Sequence, residues 1–149
     1  MTYTASNKGN ANTNKSEVFT MKMIFVANEH LATALQESLA GYFDHPDTAA
    51  VDFCYPDHEA GTRQLAKLLS EALDRNPAEN FLILADAFGS TAYNETSLLL
   101  SRTGLTGRAV IVPGMNLPLA IKYYGLKDIA SIGYLHELQE EAAKESDAG

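Results

Sequence analysis

Short apolar runs alternating with helical stretches predict an α/β fold: an open, mostly parallel, doubly wound sheet of about four strands with helices on both faces. Three observations lead there. The runs Met23–Ala27, Ala49–Cys54, Phe81–Ala85 and Arg108–Val112 have the length of buried strands and are too short for core helices. Between them, leucines and alanines recur at helical spacing. Right-handed crossovers then place the loops after strands one, three and four on one edge of the sheet, where open α/β sheets bind ligands. A length of 149 residues suffices for one domain with one sizeable core.

Residues 1–21 read as a disordered polar leader with almost no core-forming side chains, and 22–149 as a single domain. After strand one, Leu31, Leu35, Leu39 and Tyr42 mark the first helix, and Gly41 weakens its last turn. Strand two closes at Tyr55-Pro56-Asp57. Leu65, Leu68, Leu69, Ala72 and Leu73 form the apolar stripe of the second helix, which Asn76-Pro77 ends because proline disfavours a helical residue before it. Strand three, Phe81–Ala85, leads through Asp86–Asn94 to a third helix, Tyr93–Arg102; Thr91 is a candidate N-cap, Thr103-Gly104 supplies the stop, and Arg102 complements the dipole. Strand four is followed by the turn Pro113–Pro118, a fourth helix ending near Gly125, and an amphipathic stretch from Leu135 to Lys144.

The net charge of −8 argues against a general nucleic-acid binder and against docking on anionic lipid. No apolar run approaches the ~20 residues of a membrane span. The first twenty residues lack the apolar core of a secretory signal, so a cytoplasmic location is the default expectation. The single cysteine, Cys54, reads as a small buried hydrophobe. With no HxxxH or CxxC spacing, no structural metal site is expected. The absence of GxxxxGK[ST], GxGxxG and GxSxG segments leaves a P-loop, a dinucleotide site and a hydrolase elbow without support.

His30 follows strand one and Asp86 ends strand three, so an imidazole and a carboxylate are expected on one sheet edge. Position alone leaves His30 as either a surface histidine in a βα loop or a nucleophile toward phosphorus. Asp86 is either a loop-stabilising carboxylate or the group that orients the imidazole. Ser90 and Thr91 offer hydroxyls at a helix N-terminus, where free N–H groups favour an anion. His45, His58 and His136 read as solvated surface residues.

Three segments together carry a family resemblance. They are the strand and loop Ile24–His30; the sequence Asp86, Phe88, Gly89, Ser90, Thr91, Tyr93, Asn94 after the third strand; and Gly114-Met115-Asn116-Leu117-Pro118 after the fourth. The chain resembles the IIA component of the mannose (mannose/fructose/sorbose) family of the sugar phosphotransferase system, and the related phosphocarrier domain of the dihydroxyacetone kinase system. The resemblance implies a histidine phosphocarrier. The carrier protein HPr donates a phosphoryl group to His30, which passes it to a separate IIB component serving the membrane components IIC and IID. Asp86 is then the orienting carboxylate, and Gly89, Ser90 and Thr91 bind the phosphoryl oxygens. A homodimer is implied; no cofactor, metal or nucleotide is. Where the family loop reads Gly-(Thr/Ser)-His-Gly, this chain has Asn28-Glu29-His30-Leu31, and Ala92 replaces a proline. Two other classes compete: a non-catalytic regulatory or binding module on the same fold, and a small α/β hydrolase or isomerase using Asp86 and His30 as its acid–base pair.

Overall fold

The computed structural model describes residues 21–129 and 131–148, with side chains described as far as Glu140. The expected leader lies outside the described residues, except that its last residue, Met21, opens the first strand. In order, the elements are β1 (Met21–Asn28), α1 (Leu31–Leu39), β2 (Thr48–Phe53), α2 (His58–Arg75), β3 (Asn80–Ala85), α3 (Thr91–Arg102), a 3-10 turn (Thr106–Arg108), β4 (Ala109–Val112), α4 (Leu117–Leu126) and α5 (Ile132–Ala148). The four strands pair in parallel in the order β2-β1-β3-β4. This is the predicted doubly wound α/β sheet.

The strand order explains the residue pattern. β1 and β3 are central and covered on both faces, so Met23–Ala27 and Phe81–Ala85 are fully buried, continuous apolar runs. β2 is an edge strand: Val51 and Phe53 point inward while Asp52 between them stays partly exposed. Alternation sorts the sheet's side chains into two cores. Met23, Phe25, Leu82, Leu84, Val110 and Val112 pack with α1, α4 and Leu135 of α5. On the other face Ile24, Val26, Val51, Phe53, Phe81 and Ile83 pack with α2 and α3. Each such large side chain taken from water contributes roughly 1.5–3 kcal/mol.

Several boundaries differ from the sequence reading, each for a local reason. The buried stripe of α1 is Ala32, Leu35 and Leu39; Leu31 and Tyr42 lie outside it and are exposed. Cys54 falls beyond the end of β2 and is partly exposed rather than a buried hydrophobe. Arg108 belongs to the 3-10 turn, its guanidinium donating to the carbonyls of Pro77 and Glu79 at 2.6 Å. The N-cap of α3 is Ser90, not Thr91: the Ser90 Oγ accepts from the Tyr93 N–H at 3.1 Å. The remaining caps follow ordinary chemistry. Asp57 caps α2 through the Ala60 N–H, Asn116 caps α4 through the Leu119 N–H, and Asn76 ends α2 before Pro77.

Candidate functional site

The chain leaves β1 for one side of the sheet and β3 for the other, so the C-terminal ends of these adjacent strands are the switch point of the sheet, where open α/β folds bind ligands. The Asp86 N–H donates to the Val26 carbonyl at 3.2 Å, and the Met115 N–H to the Ala85 carbonyl at 3.0 Å. The loops after strands one, three and four thus meet at one edge, as the crossover argument requires.

Asp86 ties this edge together. Its Oδ2 accepts from the Asn28 N–H at 2.9 Å; its Oδ1 accepts from the Ala87 N–H at 2.9 Å and from the Ser90 hydroxyl at 2.7 Å. One carboxylate thereby joins the β1 loop, the β3 loop and the cap of α3. The Asn28 side chain makes the reciprocal tie, its Oδ1 accepting from the Ala92 N–H in the first turn of α3 at 3.0 Å. The sequence reading registered Asn28 only as a departure from the family pattern. Its role comes from its place at the end of a central strand, across from the start of α3, which the strand order sets.

His30 is exposed at the start of α1. It is the N-cap residue by position, yet its side chain makes no capping hydrogen bond, and the first turn of α1 has no acidic residue. Among the described residues no hydrogen bond to the imidazole occurs, so the three donors to Asp86 do not include it. The preceding residue, Glu29, has φ +60, a left-handed conformation that costs a side-chain-bearing residue energy and calls for restraint by its surroundings. Two bonds to the β2 loop supply it: the Glu29 N–H donates to the Phe53 carbonyl at 3.0 Å, and the Glu29 carboxylate accepts from the Tyr55 N–H at 2.9 Å. The Cys54 thiol lies 3.7 Å from the Glu29 carbonyl. Burial, then the charges of Glu29 and Asp52, push this thiol above its ordinary pKa, which keeps it protonated and a poor nucleophile.

The turn Asp86–Ser90 has Gly89 at φ +82, a region glycine enters without strain. In the first turn of α3 the Ala92 and Tyr93 N–H groups are engaged, by Asn28 and by Ser90. The Thr91 hydroxyl, by contrast, has no partner among the described residues, while the Ser90 hydroxyl is committed to Asp86. Phe88, 78% exposed, leans on Tyr93 with ring centroids 5.0 Å apart. Of the other histidines, His45 is exposed beside Asp44, His58 opens α2, and His136 is exposed on α5.

Residues 22–139 match the model of the family described as the fructose IIA component of the phosphotransferase system. The chain belongs to this family. Like the mannose/sorbose-specific IIA subunit of the phosphotransferase system from Enterococcus faecalis, this IIA chain carries the parallel sheet described above; the two are 25% identical, with a TM-score of 0.65 over 83% of this chain and 92% of that one. A phosphotransferase system component EIIA from Streptococcus agalactiae shares the fold at 19% identity and a TM-score of 0.66, covering 85% of this chain and 95% of that one. The fold also recurs in a sigma-54 interaction domain protein from Enterococcus faecalis, at 10% identity and a TM-score of 0.67, over 85% of this chain and 93% of that one. A comparison with curated proteins finds no match. Among the described residues no helix is long and apolar enough to cross a membrane.

Proposed function

We propose that this IIA chain is a histidine phosphocarrier that takes a phosphoryl group from HPr on His30 and delivers it to a IIB component for sugar uptake. The observation that carries the reading is an exposed imidazole, unpaired among the described residues, at the switch point of the sheet. An imidazole nitrogen attacks the phosphorus of phospho-HPr. The N–P bond to His30 forms as the N–P bond to HPr breaks, and the HPr imidazole leaves. Phosphoryl transfer of this kind asks mainly for positioning and charge stabilisation. Asp86 acts here as a positioning residue: it fixes the Asn28 N–H and so the loop that carries His30. The Gly89 and Thr91 N–H groups and the Thr91 hydroxyl receive phosphoryl oxygens, and Ser90 holds that turn through Asp86. No cofactor enters this step. Leu31, Tyr55 and Phe88, 45%, 78% and 78% exposed, give the surface near the two loops an apolar character suited to a protein partner.

Glu29 favours one competing reading, a regulatory module with slow or absent turnover, because a carboxylate beside His30 opposes a phosphoryl group there. One experiment separates the two. With phosphoenolpyruvate, enzyme I and HPr, the wild type takes up acid-labile, base-stable label and His30→Ala takes up none. An unlabelled wild type in the presence of a competent HPr would sink the carrier reading.

A further inference from the structure

β1 and β2 are adjacent and parallel, with Asn28 opposite Phe53, so the residues just past each strand end are neighbours. There the topology assembles a set of groups that no sequence spacing announces. A carboxylate oxygen of Glu29, a ring nitrogen of His30 and the Sγ of Cys54 all lie within 4.8 Å of one another. We propose that Glu29, His30 and Cys54 form a binding site for a borderline-soft divalent cation of the Zn²⁺ class, and that its occupancy blocks phosphorylation of His30.

The donor chemistry selects the cation. Thiolate, imidazole and carboxylate together suit Zn²⁺ and disfavour Mg²⁺ or Ca²⁺, which take oxygen ligands. Zn²⁺ bonds of roughly 2.0–2.3 Å in a tetrahedron set ligand atoms about 3.5 Å apart, which small side-chain rotations achieve from the observed spacing. Three protein ligands leave the fourth position to water. The site is also held in place before any cation arrives. Glu29 is fixed at φ +60 by its bonds to the Phe53 carbonyl and the Tyr55 N–H, and only one of its carboxylate oxygens is used by the latter. The His30 ring has no hydrogen-bond partner among the described residues, and Asp52 adds a second carboxylate to the local field. On binding, the cation replaces the thiol proton, which passes to solvent. The blocking half of the proposal rests on the phosphocarrier reading: a nitrogen bonded to the cation has no lone pair for phosphorus.

Co²⁺ is the probe of the site, because Cys54 is the only cysteine and a thiolate-to-cobalt charge-transfer band can come from nowhere else. Added to the reduced full chain, Co²⁺ gives that band at one equivalent and Zn²⁺ abolishes it by displacement. Cys54→Ser lacks the band. Glu29→Gln and His30→Ala weaken binding by at least about tenfold, the scale on which even outer-shell changes act. Circular dichroism checks that each variant is folded. No band in the wild type, or affinities unmoved in Glu29→Gln and His30→Ala, would overturn the site. Transfer from purified phospho-HPr then tests the blocking: Zn²⁺ suppresses labelling of the wild type, while in Cys54→Ser the rates with and without Zn²⁺ agree. Labelling of the wild type that Zn²⁺ leaves unchanged overturns the blocking. Because the cobalt band needs no phosphoryl donor, failure of the carrier reading does not imitate failure of the site.

Discussion

Glu29 sets a charge against the chemistry proposed for its neighbour. A doubly negative phosphoryl group about 5 Å from a carboxylate is repelled by roughly 1–2 kcal/mol even in water, or about tenfold in equilibrium. Glu29→Gln keeps an oxygen for the Tyr55 N–H and removes the charge. The phosphorylated fraction at equilibrium with phospho-HPr is therefore expected to rise by up to about tenfold, less at high salt; a fall would show that the carboxylate assists. Asp86 works in the opposite direction. Asp86→Ala strands the Asn28 and Ala87 N–H groups and the Ser90 hydroxyl, at a cost of about 1–3 kcal/mol in unfolding free energy, and slows labelling of His30. Stability unchanged within error would contradict the bracing role. At this scale the sequence was legible in part. His30 and Asp86 were placed on one sheet edge by position, whereas the tie from Asn28 to Ala92 and the meeting of Glu29, His30 and Cys54 depend on which strands neighbour each other, and no local pattern encodes that.

Elements were read most reliably where propensity, periodicity and caps agreed. α2 is one such case, with its leucine stripe and Asn76-Pro77 at its end; that Asp57 caps its start is seen only in the structure. In α3 the expected N-cap, Thr91, is one residue off because Ser90 and Thr91 both have cap chemistry, and only the bond from the Tyr93 N–H to Ser90 decides between them. Packing also reverses a simple propensity argument at Gly61. Alanine in a helix interior gains about 0.5–1 kcal/mol over glycine, yet a Cβ at Gly61 would stand 2.6 Å from the ring of fully buried Phe53. Overpacking of this kind costs about 1–3 kcal/mol, so Gly61→Ala is expected to lower the denaturation midpoint; a higher midpoint would mean that the ring moves freely. Thr96 is the converse. Its hydroxyl is fully buried on α3 without a hydrogen-bond partner among the described residues, and Thr96→Val removes it at nearly constant shape. Thermal unfolding should show a gain of about 1 kcal/mol, and a loss would point to a partner for that hydroxyl.

At the scale of the whole molecule, the order β2-β1-β3-β4 determines where chemistry is possible. The fold class, and the sheet edge where the loops after strands one, three and four meet, were readable from apolar runs, helical spacing and right-handed crossovers, whereas the order of the strands was not. The same topology puts β2 beside β1, which is why Cys54, read from sequence as a core residue, emerges next to His30. Assembly is a further whole-molecule expectation: the family resemblance implies a homodimer, Ile129 and Tyr134, 73% and 47% exposed around the start of α5, offer apolar area for one, and sedimentation at micromolar concentration should then return twice the chain mass rather than the monomer's. The central claim is that His30 is the phosphoryl acceptor. Trypsin releases His30, His45 and His58 together on the single peptide Met23–Arg63, so the deciding measurement is fragment-ion sequencing of that peptide, kept alkaline, after reaction with phospho-HPr. The account predicts the added phosphate on His30 alone; phosphate on His45 or His58, or none from an HPr that labels another IIA protein, would contradict it.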